Sequence, residues 1–127
     1  MNSRSRLILV VEDDDGNRRL IKELLNFQSY KVVEAESGRR ALRLLEEYAV
    51  DLILMDISLP DMSGLAVIKQ IRTRGQYTAL PIIALTAYVR PVDAEAAFAA
   101  GATSHIAKPV NIQHLLAEIQ KNLQGVP

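Results

Sequence analysis

The stretch Leu7–Asp15, "LILVVEDDD", sets five apolar residues directly against four acids. An apolar run this short, with no polar alternation, reads as a strand buried on both faces, which is how parallel sheets are written. Similar runs recur at Lys31–Ala35, Leu52–Met55 and Ile82–Leu85, with a weaker one at Thr103–Ile106. Between them the apolar residues take helical spacing: Leu20, Ile21, Leu24 and Leu25; Ala41, Leu44, Leu45 and Tyr48; Leu65, Ile68 and Ile71; Val92, Ala96 and Ala100. A last stripe, Ile112, Leu115, Leu116, Ile119 and Leu123, would bury one face of a terminal helix. Five strands alternating with five helices predict a doubly wound α/β sandwich, because crossovers of this length force neighbouring strands to be parallel.

Local chemistry agrees with that pattern. Ser37, Ser63 and Asn111 stand where helix N-caps are wanted, Asp14 or Asp15 would cap the first helix, and Gly101 would end the fourth. At 127 residues the chain is about one domain long, and no repeat or Pro/Gly/Ser-rich linker divides it, so residues 1–127 are expected to form a single domain. There is no cysteine, and Lys plus Arg equals Asp plus Glu at 15 each. Balanced charge supplies no field for nucleic acid or an anionic membrane, and "SRSR" at Ser3–Arg6 reads as a frayed, solvated terminus. With no bilayer-length apolar run and no leader-like segment, the expected location is the cytoplasm.

In a doubly wound sheet, ligands bind beyond the carboxyl ends of the strands. There the sequence places Glu12 and Asp13 after the first strand, Asp56 after the third, Thr86 after the fourth, and Lys108 and Pro109 after the fifth. Acids brought together from neighbouring strands raise each other's pKa unless a cation neutralises them. A hard divalent ion suits oxygen ligands, and Mg2+ suits a site with one or two carboxylates plus waters and a phosphate oxygen. Asp56 leaves the core on a turn made by Leu59, Pro60 and Gly64; such a carboxylate is either an aspartate that caps the turn or a nucleophile that forms an acyl phosphate. A hydroxyl at Thr86 and an ammonium at Lys108 would partner the oxygens of that group.

Those residues lie in the motifs "ILVVEDD", "DLILMDISLPDMSG", "PIIALTA" and "AKP", and with them the chain, from Leu7 to about Leu123, resembles the receiver domain of bacterial two-component response regulators. The resemblance covers both stand-alone proteins of the DivK type and receivers of hybrid histidine kinases. It implies a flavodoxin-like (βα)5 fold with strand order 2-1-3-4-5. It also implies that Asp56 is the phosphoacceptor, that Asp13 binds Mg2+ (or Mn2+) directly, that Glu12 binds it mostly through water, and that the Ser58 main-chain carbonyl completes the set. Thr86 and Lys108 would hold the phosphoryl oxygens, and the Lys108–Pro109 bond would be cis. The phosphodonor would be a sensor histidine kinase or a histidine phosphotransfer protein. Phosphorylation would move Thr86 and reshape the face made by helix four, strand five and helix five, so that a downstream protein binds. The chain would be a monomer or weak dimer, and a regulatory domain rather than an enzyme.

Three positions depart from the usual pattern. Glu12 replaces the commoner Asp. His105 stands where a switching Tyr or Phe is usual, and as imidazole titrates near neutrality this would make output pH-sensitive. Ala94, Ala96, Ala97, Ala99 and Ala100 crowd helix four, either for close packing and helix propensity or as a small-residue face that docks a flat partner. Tyr88 is expected to overhang the site and slow hydrolysis of the acyl phosphate. A phosphatase running its own aspartyl-phosphate cycle would need an acid at position 58, which is Ser. A pseudo-receiver would lack Asp13, Asp56 or Lys108, and a nucleotide-binding relative would carry a Gly-rich loop after the first strand. Because "QGVP" closes the sequence after the fifth helix, output is expected to run through protein contacts.

Overall fold

The computed structural model describes residues 5–87 and 91–124, with the backbone alone at position 91. Five parallel strands, β1 (Leu7–Val11), β2 (Lys31–Ala35), β3 (Leu52–Asp56), β4 (Ile82–Thr86) and β5 (Ser104–Ala107), form one sheet in the order β2-β1-β3-β4-β5. They alternate with α1 (Asp15–Phe27), α2 (Gly38–Glu47), α3 (Gly64–Arg72), α4 (Pro91–Ala100) and α5 (Ile112–Leu123). A single 3-10 turn, Gly75–Tyr77, precedes β4. Its "GQY" carries no apolar spacing that would announce it.

The continuous apolar runs are explained by how their residues divide. Ile8, Val10, Leu52, Leu54, Ile83 and Leu85 point to the side covered by α1 and α5, where they meet Ile21, Leu25, Leu115, Ile119 and Leu123. Leu9, Val11, Ile53, Met55, Ile82 and Ala84 point to the other side, against Leu44, Leu45, Val67, Ile68 and Ile71 of α2 and α3 and Ala97 and Ala100 of α4. Successive residues face opposite sides of a sheet, so only a doubly covered sheet lets every one be apolar. Each fully buried Leu or Ile contributes about 1.5–3 kcal/mol.

The helix ends obey the expected chemistry. Asp14, Ser37, Ser63 and Asn111 each accept a backbone N–H of the helix they precede. Gly101 follows α4 at φ 118°, a conformation that favours glycine. Several expectations shift. Leu20 and Tyr48, counted in the apolar stripes of the first two helices, are 52% and 46% exposed, and Tyr48 lies just past the end of α2. Helix α4 buries Ala97 and Ala100 but exposes Val92, Ala96, Phe98 and Ala99, so the spacing Val92, Ala96, Ala100 does not mark its inner face. The helix is apolar nearly all round, and periodicity then selects no side. Of the Ser3–Arg6 cluster, Arg6 is held rather than frayed. Ser3 and Arg4 lie outside the described residues, but the Arg6 carbonyl accepts the Lys31 N–H and its guanidinium lies 3.9 Å from Asp51.

Candidate functional site

Register decides which side chains meet. Val11 of β1 sits beside Met55 of β3, so the next residues, Glu12 and Asp56, leave the sheet side by side. Both share the parity of Val10 and Leu54, hence the α1/α5 side. Both are 2% exposed, whereas Asp13, one step on, is exposed. One oxygen from each of Glu12, Asp13 and Asp56 lies within 4.8 Å of the others.

Lys108 comes from two strands away. Its backbone N–H bonds the Thr86 carbonyl at 2.6 Å, the Lys108–Pro109 peptide is cis, and its side chain reaches back across the sheet edge. The Lys108 Nζ lies 3.1 Å from Glu12 Oε1 and 3.0 Å from Asp56 Oδ2. Burial alone would depress this ammonium, but the Asp56 and Glu12 carboxylates outweigh it and raise its pKa. Burial pushes the Glu12 carboxyl up, with the Asp56 charge adding to it, against the pull of the Asp14 N–H (3.2 Å to Oε2) and of Lys108. Three carboxylates against one ammonium leave two formal negative charges. An all-oxygen donor set with that residual charge fits a hard divalent cation such as Mg2+.

The loop after β3 is fixed closely. The Ser58 N–H donates to Asp56 Oδ1 at 3.0 Å, and the Gly64 N–H donates to the Ile57 carbonyl at 2.8 Å. A Cβ on Gly64 would collide with the Asp56 carbonyl, so only glycine lets α3 start this close to the acid. Thr86 is 6% exposed and has the opposite parity to Asp56. It therefore lines a separate cavity of about 230 Å³ with Ser58, Leu65, Asp93 and Ala96, on the α3/α4 side. His105, on β5, is half-buried and stands edge-on to Phe98 of α4, with ring centroids 5.5 Å apart at 79°. Tyr88 lies outside the described residues.

Some contributors are not visible as motifs. The Arg18 guanidinium donates to the Glu12 carbonyl at 2.8 Å and pairs with Asp15 and Glu34, tying α1 to the end of β1 and to β2. Only its spacing from Asp15, three residues on one helix face, was readable. Asp61 accepts the Gly38 and Arg39 N–H groups of α2 at 2.9 and 3.0 Å, from a loop that reads simply as a turn.

Comparison with known proteins bears on what this arrangement is. Residues 8–120 match the family model described as the response regulator receiver domain. The chain is 34% identical over 119 residues to the polar-differentiation response regulator DivK of Brucella ovis, covering 94% of this chain and 97% of that protein. The chemotaxis response regulator CheY4 of Vibrio cholerae superposes with a TM-score of 0.90 at 32% identity, covering 94% and 100% of the two chains. A receiver domain of a Pseudomonas aeruginosa sensor histidine kinase, solved with a magnesium ion coordinated in its active-site cleft, superposes at 0.86 with 33% identity, over 94% and 98%. With the acidic cluster, the bridging lysine and the strand order all in place, the chain belongs to the response regulator receiver domain family, whose members act as switches in phosphorylation-based signalling.

Proposed function

We propose that this protein is a Mg2+-dependent switch whose Asp56 accepts a phosphoryl group from a phosphohistidine of a kinase or phosphotransfer protein. The observation that carries the reading is Lys108 Nζ, held about equally by Glu12 Oε1 at 3.1 Å and Asp56 Oδ2 at 3.0 Å at the edge of the sheet. Asp13, Asp56 and the Ser58 main-chain carbonyl would hold the ion, with Glu12 acting mostly through water. Bound there, Mg2+ would offset charge on the phosphoryl oxygens.

The chain's own residues supply the rest. An Asp56 carboxylate oxygen forms the new O–P bond as the P–N bond of the donor breaks, and the electron pair leaves with the imidazole. Burial excludes bulk water from Asp56, and the Ser58 N–H fixes the rotation of its carboxylate. Lys108 keeps its positive charge throughout neutral pH and stands ready to pair with a phosphoryl oxygen. Thr86, across the sheet edge, would turn its hydroxyl to the same group. In that movement the cavity beside Ser58 and Asp93 would change shape, and with it α4, β5 and His105. A shift from 1:99 to 99:1 between two states needs about 5.5 kcal/mol, within reach of two or three charge-assisted bonds. The reshaped α4-β5-α5 face would then bind a downstream protein, the chain acting as one regulatory domain, monomeric or weakly dimeric.

Intact-mass measurement after incubation with acetyl phosphate and Mg2+ tests this. A single phosphate adduct is expected for the wild-type protein, absent with EDTA and absent in Asp56→Asn. An adduct of equal yield in Asp56→Asn would refute the reading.

A further inference from the structure

The loop between Asp56 and Gly64 carries the Ser58 carbonyl; its start is pinned to the sheet, where the Ile57 N–H bonds the Leu85 carbonyl at 3.1 Å, and its end folds back on that start, the Gly64 N–H bonding the Ile57 carbonyl at 2.8 Å. Its middle is held by a different element. Asp61 Oδ1 accepts the Gly38 N–H at 2.9 Å and Asp61 Oδ2 accepts the Arg39 N–H at 3.0 Å, both from the first turn of α2. Next to it Met62 packs into the space a side chain on Gly38 would need, since a Cβ there would lie 2.7 Å from Met62 Cγ and from Val67 Cγ2. Helix α2 does not depend on Asp61 alone for capping, because Ser37 Oγ already accepts the Arg40 N–H at 3.2 Å. A carboxylate that spends both oxygens on a neighbouring helix fixes the position and the orientation of its own loop.

We propose that Asp61 is a positioning residue for metal binding: by fastening the β3–α3 loop to the N-terminus of α2, it holds the Ser58 carbonyl where the ion needs it. The proposal rests on the Mg2+ site put forward above. It assigns a role to α2, which contributes no side chain to the acidic cluster. A partner of a metal ligand that only orients it still governs affinity, since a loosened ligand must be ordered again each time the ion binds.

Calorimetric titration with MgCl2 separates positioning from mere stability when Asp61→Ala and Asp61→Asn are compared with Ser37→Ala. The Ser37 variant loosens the same helix start without touching the loop. For Asp61→Ala, Mg2+ affinity should fall about 3- to 10-fold, less than the ~10- to 100-fold typical of groups bonded directly to a ligand. Asp61→Asn, which keeps one acceptor, should fall between it and the wild type, and serves if the alanine variant does not fold. Ser37→Ala should stay within about twofold of the wild type. Wild-type affinity in both Asp61 variants would overturn the proposal, as would an equal loss in Ser37→Ala. If the wild-type protein itself gives no Mg2+ isotherm, the parent reading of the site fails and this one falls with it.

Discussion

Glu12 is an acid buried at 2% exposure. What keeps it tolerable in the fold is Lys108 at 3.1 Å and the Asp14 N–H at 3.2 Å. Replacing the lysine with methionine keeps an unbranched apolar side chain of similar length and removes the charge. In Lys108→Met two carboxylates face each other without an ammonium, so the metal-free protein should lose about 1–3 kcal/mol in a urea titration. Saturating Mg2+ should restore part of that loss, because the ion takes over the neutralising role. Asp61 gives a second prediction, at acid pH. The Gly38 and Arg39 N–H groups hold its carboxyl below the ordinary 3.8. A depressed acid contributes stability that is present above its unfolded value and is lost as pH falls through the folded one. Asp61→Asn should therefore flatten the stability curve below about pH 4, read by urea titration across acid pH. The acids and Lys108 were legible because each is out of place in its local context. Asp61 and the Arg18 contact to the site were not, since the atoms they bind there, two helix N–H groups and the Glu12 carbonyl, are backbone atoms that no side-chain motif encodes.

Among the elements, α3 shows most clearly how packing positions the site. It begins at Gly64, against the Asp56 carbonyl, so Gly64→Ala forces a Cβ onto backbone that has nowhere to move. A loss of about 3 kcal/mol, the upper end for overpacking, is expected in thermal or urea unfolding. Gly75, in the 3-10 turn, has nothing within 4 Å of where its Cβ would lie. Gly75→Ala should be neutral or stabilise by about 0.4–1 kcal/mol through the unfolded chain. Sequence spacing located all five helices because four of them concentrate their apolar residues on the buried side. It did not orient α4, where alanines occupy the inner and outer faces alike. The strand runs were readable for the same reason that their ends were short by a residue. Hydrophobicity stops at Met55 and Leu85, while the ladder continues through Asp56 and Thr86.

Across the whole molecule, polar clamps at opposite sheet edges complement the two apolar layers. Away from the site, the Arg72 guanidinium at the end of α3 donates to the carbonyls of Gly101, Tyr77 and Leu80 at 2.6–2.8 Å. It thereby joins the end of α4 and the turn before β4. No periodicity would disclose this, because Arg72 reads as an ordinary basic residue in a last helical turn, and strand order likewise came from family resemblance rather than from the alternation of elements. At the site edge the clamp is incomplete by two formal charges, which would couple global stability to a bound cation. Mg2+ at about 100 times its Kd should raise stability by about 2.7 kcal/mol. In a thermal melt this appears as an upward shift of several degrees that equal ionic strength of NaCl does not reproduce, and Asp13→Asn should abolish most of it.

The central claim is that Asp56 carries an acyl phosphate. Borohydride reduction after phosphorylation, followed by peptide mapping, locates the bond chemically, because an aspartyl phosphate is reduced to homoserine while an unmodified carboxylate is not. Homoserine at position 56, formed only with Mg2+ and phosphodonor together, is the predicted result. Homoserine at position 13 in its place, or a phosphate adduct that survives on a hydroxyl or imidazole with position 56 unchanged, would contradict it.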